Sequence, residues 1–158
     1  MKPANPFSRL NLLLAALLFA SNALTTNAAT PSLPGHAQEI AYQPQKVVYD
    51  VAVTGLAAFN AILDRVSYLN SIYQADPFNA SIVLVLHGDE LAFFTLHNHE
   101  KYRNIVRRAH SLELAGPIRL LVCRAAARMR GFAPEDFHDF VEIVPMADAE
   151  IVRLQQEE

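Results

Sequence analysis

Cys123 is the only thiol in the 158-residue chain, so no internal disulfide can form. It follows the apolar run Ile118-Arg119-Leu120-Leu121-Val122, which reads as a strand. Arg124 to Arg130 follows with high helix propensity, and Gly131 is placed to close that helix. A thiol at this junction faces the positive end of a helix, where a thiolate is stabilised and becomes nucleophilic. Arg124 is adjacent and Arg128 lies one turn further on, and both would favour the same negative charge. The competing reading is a buried core cysteine, because Cys is among the most buried residue types and Val122-Cys123 continues an apolar strand.

Histidines are the other candidates. His87 ends the apolar run Ser81–Leu86, and His87-Gly88-Asp89 breaks it. If the two strands are neighbours, His87 could act as a base toward the Cys123 thiol; the alternative is a histidine satisfied by loop hydrogen bonds. His97-Asn98-His99 taken with His87 raises the question of a metal. No carboxylate or cysteine falls at diagnostic spacing, so no metal ligand is assigned and a polar loop before a helix is expected. Phe93-Phe94 are expected in the core or at a subunit contact. No Ser–His–Asp signature, phosphate-cradling glycine loop or dinucleotide fingerprint occurs, and Gly55 and Gly88 are isolated. No organic cofactor is expected.

The elements that must position these residues alternate. Lys46–Val53 reads as a strand, Thr54 as a helix cap, and Leu56, Phe59, Leu63, Val66 and Tyr73 as the apolar stripe of a helix that Asp76-Pro77 stops. Ser81–His87 suits a strand buried on both faces. Leu91–Leu96 is ambiguous between a strand and a packed lead-in; Glu100–Leu114 is helical and ends at Gly116-Pro117. After the Cys123 strand and helix, Ala133–Asp136 looks like a further helix start, Val141–Val144 a last strand, and Pro145 introduces a final helix carrying Ala147, Ile151 and Leu154. The alternation predicts an α/β fold: three layers, with a mostly parallel sheet of four to five strands between helices.

The N-terminus carries a different signal. Lys2 and Arg9 precede an apolar run from Leu10 to Ala20, and small and polar residues follow through Asn27-Ala28-Ala29. That is the pattern of a secretory signal peptide, and the run is shorter than the roughly 20 apolar residues of a membrane span. The expectation is therefore a signal over residues 1–29, cleaved near Ala28 or Ala29. An extended lead-in over 30–45 and one domain over 46–158 would follow, periplasmic or secreted and not membrane-spanning once mature. Removing Lys2 and Arg9 leaves eleven basic against sixteen acidic residues, a formal charge of −5. That balance argues against a nucleic-acid partner.

Cys123-Arg124-Ala125-Ala126-Ala127-Arg128-Met129-Arg130-Gly131 resembles the Cys-x-Ala-Ala-Ala-x-x-Arg-Gly segment of the DsrE/DsrF-like sulfur-relay proteins. The strand Lys46–Val53, the ending Leu86-His87-Gly88-Asp89, and Val144-Pro145 with Ile151–Gln155 are similar to other parts of that family. The resemblance implies a three-layer α/β/α domain, commonly assembled as homotrimers or hexamers. It also implies that Cys123 carries sulfur as a persulfide, exchanged with a donor or acceptor protein or a small sulfur compound. Only Cys123 transfers by the match. Arg124, Arg128 and Arg130, with Arg107-Arg108, could attract an anionic sulfur compound, against the ordinary reading of solvated helix faces. The relay members resembled here are cytoplasmic, whereas this chain carries an export-type start. A non-catalytic oligomeric binding module with a buried structural cysteine is the alternative function.

Overall fold

The computed structural model describes residues 35–157, so the expected signal segment lies outside the described residues. Residues 35–44 have no regular secondary structure. Four strands then follow, β1 (Gln45–Val51), β2 (Ala80–Leu86), β3 (Ile118–Cys123) and β4 (Glu142–Val144). They form a single parallel sheet in the order β1-β2-β3-β4. The helices are α1 (Leu56–Ile72), α2 (His99–Leu114), α3 (Arg124–Met129) and α4 (Ala147–Gln156). The predicted α/β class with a parallel sheet and flanking helices holds.

Strand order decides where the helices lie. Right-handed crossovers between sequential parallel neighbours place α1 and α2 on the same face. Arg65 of α1 accordingly sits 5.4 Å above the Tyr49 ring of β1. The register puts Tyr49, Leu84 and Leu120 in one row on that face, and Val51, Leu86 and Val122 in the next. Residues of opposite parity, Val48, Val83, Val85, Leu121 and Cys123, point to the other face, which α4 crosses. Ala147 at the start of α4 reaches Cys123, and Lys46 at the start of β1 bonds the Glu157 carbonyl beyond its end. β2 and β3 are buried on both sides, which is why their sequences are nearly continuous apolar runs.

Leu91–Leu96 takes the second of its two readings, a packed lead-in to α2: Asp89–Phe94 and Leu96–Asn98 form two 3-10 turns that drive Leu91, Phe93 and Phe94 into the core. Phe59 of α1 meets Phe93 and Phe94 edge-on at 5.9 and 5.5 Å, so this pair packs against α1. Other local expectations change. Ala133–Asp136 yields only the single turn Pro134–Asp136. Thr54 does not cap α1. The cap is Gly55 at φ 86°, a left-handed conformation that glycine adopts without strain, and the Thr54 hydroxyl donates to Asp89 instead.

Candidate functional site

Cys123 is the last residue of β3 and the N-cap of α3. Its sulfur accepts two backbone hydrogen bonds, from Ala126 N at 3.4 Å and from Ala147 N at 3.3 Å. The first donor lies in the opening turn of α3 and the second is the first residue of α4. Ala125 N donates to Pro145 O at 3.3 Å and ties these two helix starts together. The sulfur thus sits between the N–H dipoles of two helix starts, and Cys123 as a residue is 3 % exposed. A thiol is a weak acceptor, whereas a negatively charged sulfur uses both donors fully.

Four specified residues of the Cys123–Gly131 segment, Ala126, Ala127, Arg130 and Gly131, have a mechanical reason; the Ala125 side chain is exposed. Ala126 and Ala127 are buried, so only small side chains let α3 lie this close. Arg130 donates to the Ala126 carbonyl and to Asp89 Oδ1, at 3.2 and 3.3 Å, holding the end of α3 against the loop after β2. Gly131 at φ 79° gives the left-handed C-terminal turn, in which Phe132 N reaches Ala127 O. The unspecified positions Arg124, Arg128 and Met129 face solvent.

β2 and β3 are neighbours, and their last paired residues are Leu86 and Val122. The next positions are His87 and Cys123, side by side on the α4 face. The His87 ring does not bond the sulfur, however. Its Nε2 meets Asp50 Oδ1 of β1 at 2.5 Å. Asp50 stands opposite Val85, one step back in register, so the His–Asp contact runs diagonally to β1 while the His–thiol contact is not made. In the loop after His87, Glu90 is wholly buried and accepts from Val53 N at 2.8 Å and Gly88 N at 2.7 Å. That carboxylate clips the ends of β1 and β2 together. A Cβ on Gly88 would lie 2.7 Å from both Ala52 Cα and Val53 N, so only glycine fits. Asp50 and Glu90 carried no sequence signal, because their partners are the loop and strand ends that the fold brings to them.

Comparison with known proteins adds the family. Residues 11–158 match the DsrE/DsrF-like family. The chain belongs to that family. No curated protein matches it. Among solved structures, a Methanobacterium thermoautotrophicum protein of unknown function shares the fold, with a TM-score of 0.58 and 18 % identity. The likeness covers 71 % of this chain and 92 % of that one. Membership in the DsrE/DsrF-like family points to sulfur relay in general.

The remaining candidates of this DsrE-family chain are scattered. The five arginines do not make one patch. Arg108 pairs with Asp64, Arg107 with Asn104 on its own helix, and Arg130 with Asp89. Arg124 and Arg128 alone flank the sulfur's helix, lining an open cleft with Ala125, Met129 and Pro145. Among the described residues, neither forms an ion pair with a carboxylate. The histidines also separate: His87 goes to Asp50, His97 lies 5.9 Å from the Phe132 ring, and His99 meets His138. No cluster of three or more metal-ligating side chains occurs, and no helix is long and apolar enough to cross a membrane, among the described residues.

Proposed function

We propose that Cys123 carries sulfane sulfur as a persulfide and passes it to an acceptor thiol. The carrying observation is the pair of N–H donors converging on its sulfur from the starts of α3 and α4. The Cys123 thiolate attacks the outer sulfur of a donor persulfide, R–S–SH. An S–S bond forms to Cys123, the donor's S–S bond breaks, and R–S⁻ leaves with the electron pair. An acceptor thiolate then takes the outer sulfur by the same displacement and regenerates the Cys123 thiolate. No external oxidant and no organic cofactor enter.

His87 is the candidate proton acceptor in the apo thiol, held by Asp50 on the adjacent strand; a ring rotation must replace the Asp50 contact or use the second ring nitrogen. Arg124 and Arg128 offer positive charge to an anionic donor or partner surface at the cleft. The proposal extends to the compartment: the N-terminal pattern sends the domain out of the cytoplasm, as a homo-oligomer. Incubation with a low-molecular-weight persulfide should add one reducible sulfur atom to the intact mass of the protein. Absence of the adduct, or its persistence in Cys123→Ser, overturns the reading.

A second reading has its own observation. The near-complete burial of Cys123 fits a structural cysteine in a non-catalytic binding module. That reading requires a thiol reagent to label Cys123 only as fast as the protein unfolds. The carrier reading requires labelling through a local opening of the α4 start, faster than global unfolding.

A further inference from the structure

We propose that His99 and His138 form a binding site for a divalent late-transition ion of the Zn²⁺, Ni²⁺ or Cu²⁺ class, on the sheet face opposite the sulfur. His99 opens α2, and His138 lies in the loop before β4, 39 residues away. His99 Nδ1 and His138 Nε2 are hydrogen-bonded at 3.2 Å, with the donor set by the tautomer. Two nitrogens each about 2.0–2.1 Å from a tetrahedral ion stand roughly 3.3 Å apart, so an ion replacing the shared proton needs the rings to turn toward it but hardly to change their separation. Imidazole is the ligand type this class of ion prefers, and two nitrogens leave the other positions to water.

The pair is held from both sides. His138 N donates to Phe94 O at 3.1 Å, and Thr95 bridges to Phe137 in antiparallel fashion, so the loop is fixed to the segment leading into α2. Phe140 stacks on His138 at 5.9 Å and on His110 of α2 at 4.7 Å, which sets the ring plane. Both chelating rings are only half-buried, leaving room for water on the ion. Asp139, the residue after His138, adds negative charge beside an incoming cation.

The test uses untagged full chain carrying Cys123→Ser, which removes the thiol as a rival ligand, after stripping with chelator. Calorimetric titration with zinc sulfate should show one equivalent bound. His99→Gln and His138→Gln should each lose it, while His87→Gln keeps it. Paramagnetic broadening by substoichiometric Cu²⁺ on protein with all histidines intact gives a readout that does not depend on the variants folding. The ring signals of His99 and His138 should vanish first. No saturable binding, binding that survives in both variants, or broadening centred on other histidines overturns the proposal.

Discussion

The two faces of the sheet hold their reactive atoms by different means. On the α4 face, the Cys123 sulfur is gripped by backbone N–H groups of Ala126 and Ala147. On the α2 face, backbone bonds fix the loop that carries His138, but the rings are set by each other and by Phe140 stacked on His138 and His110. Backbone donors persist whatever side chains surround them, so substitutions at the exposed Arg124, Arg128 and Met129 should leave both sulfur contacts in place. The histidine site depends on the identity of each ring.

Glu90 gives the largest expected effect, because it sits at the strand ends from which the site loops leave. Glu90→Ala leaves the buried Gly88 N and the part-buried Val53 N without an acceptor and should cost about 2–4 kcal/mol in chemical denaturation. A loss near zero would mean that the clip does not hold the edge. Phe140→Ala sharpens the contrast between faces. It should cost about 1–3 kcal/mol, since the ring is partly buried against Phe94, and it should disturb the His99 and His138 signals. Persulfide loading at Cys123 should stay unchanged. Equal damage to both would show the two sites coupled.

The smallest effect is electrostatic. Arg119 bonds Glu142 through two contacts of 2.7 and 2.5 Å beneath α4 and holds the Glu142 carboxyl below its usual pKa. As pH falls below the ordinary carboxyl value of 4.5, the unfolded chain takes up this proton before the folded one does. Stability present above that pH is therefore lost on acidification. Glu142→Gln should flatten this acid limb in a pH series of thermal melts, with a neutral-pH cost under about 1 kcal/mol because the pair is half-exposed. An unchanged acid limb would remove the pair from the account of the α4 face.

Much of the fold was legible because burial leaves a trace in each strand. Ser81–Leu86 and Ile118–Cys123 are apolar on both parities, as central parallel strands must be, and Phe59, Leu63 and Val66 mark the buried side of α1 at helical spacing. The position of Cys123 at a strand end before a helix was equally readable. The second donor to its sulfur was not, because Ala147 lies 24 residues away and contributes only a backbone N–H. The 3-10 turns at Asp89–Asn98 escaped because Phe93, Phe94 and the adjacent polar residues fit neither the strand nor the helix period. His138 and Asp50 gain their meaning from partners 39 and 37 residues distant, which no local pattern encodes.

The central claim is transfer through Cys123, and one measurement addresses it directly. The protein is loaded from a persulfide whose outer sulfur is isotopically labelled, freed of donor, and mixed with an acceptor thiol. The account predicts that the label resides on Cys123 after loading, is absent from Cys123→Ser, and moves to the acceptor with recovery of the free thiol. Label that never attaches to Cys123, or that attaches and does not leave, would contradict it.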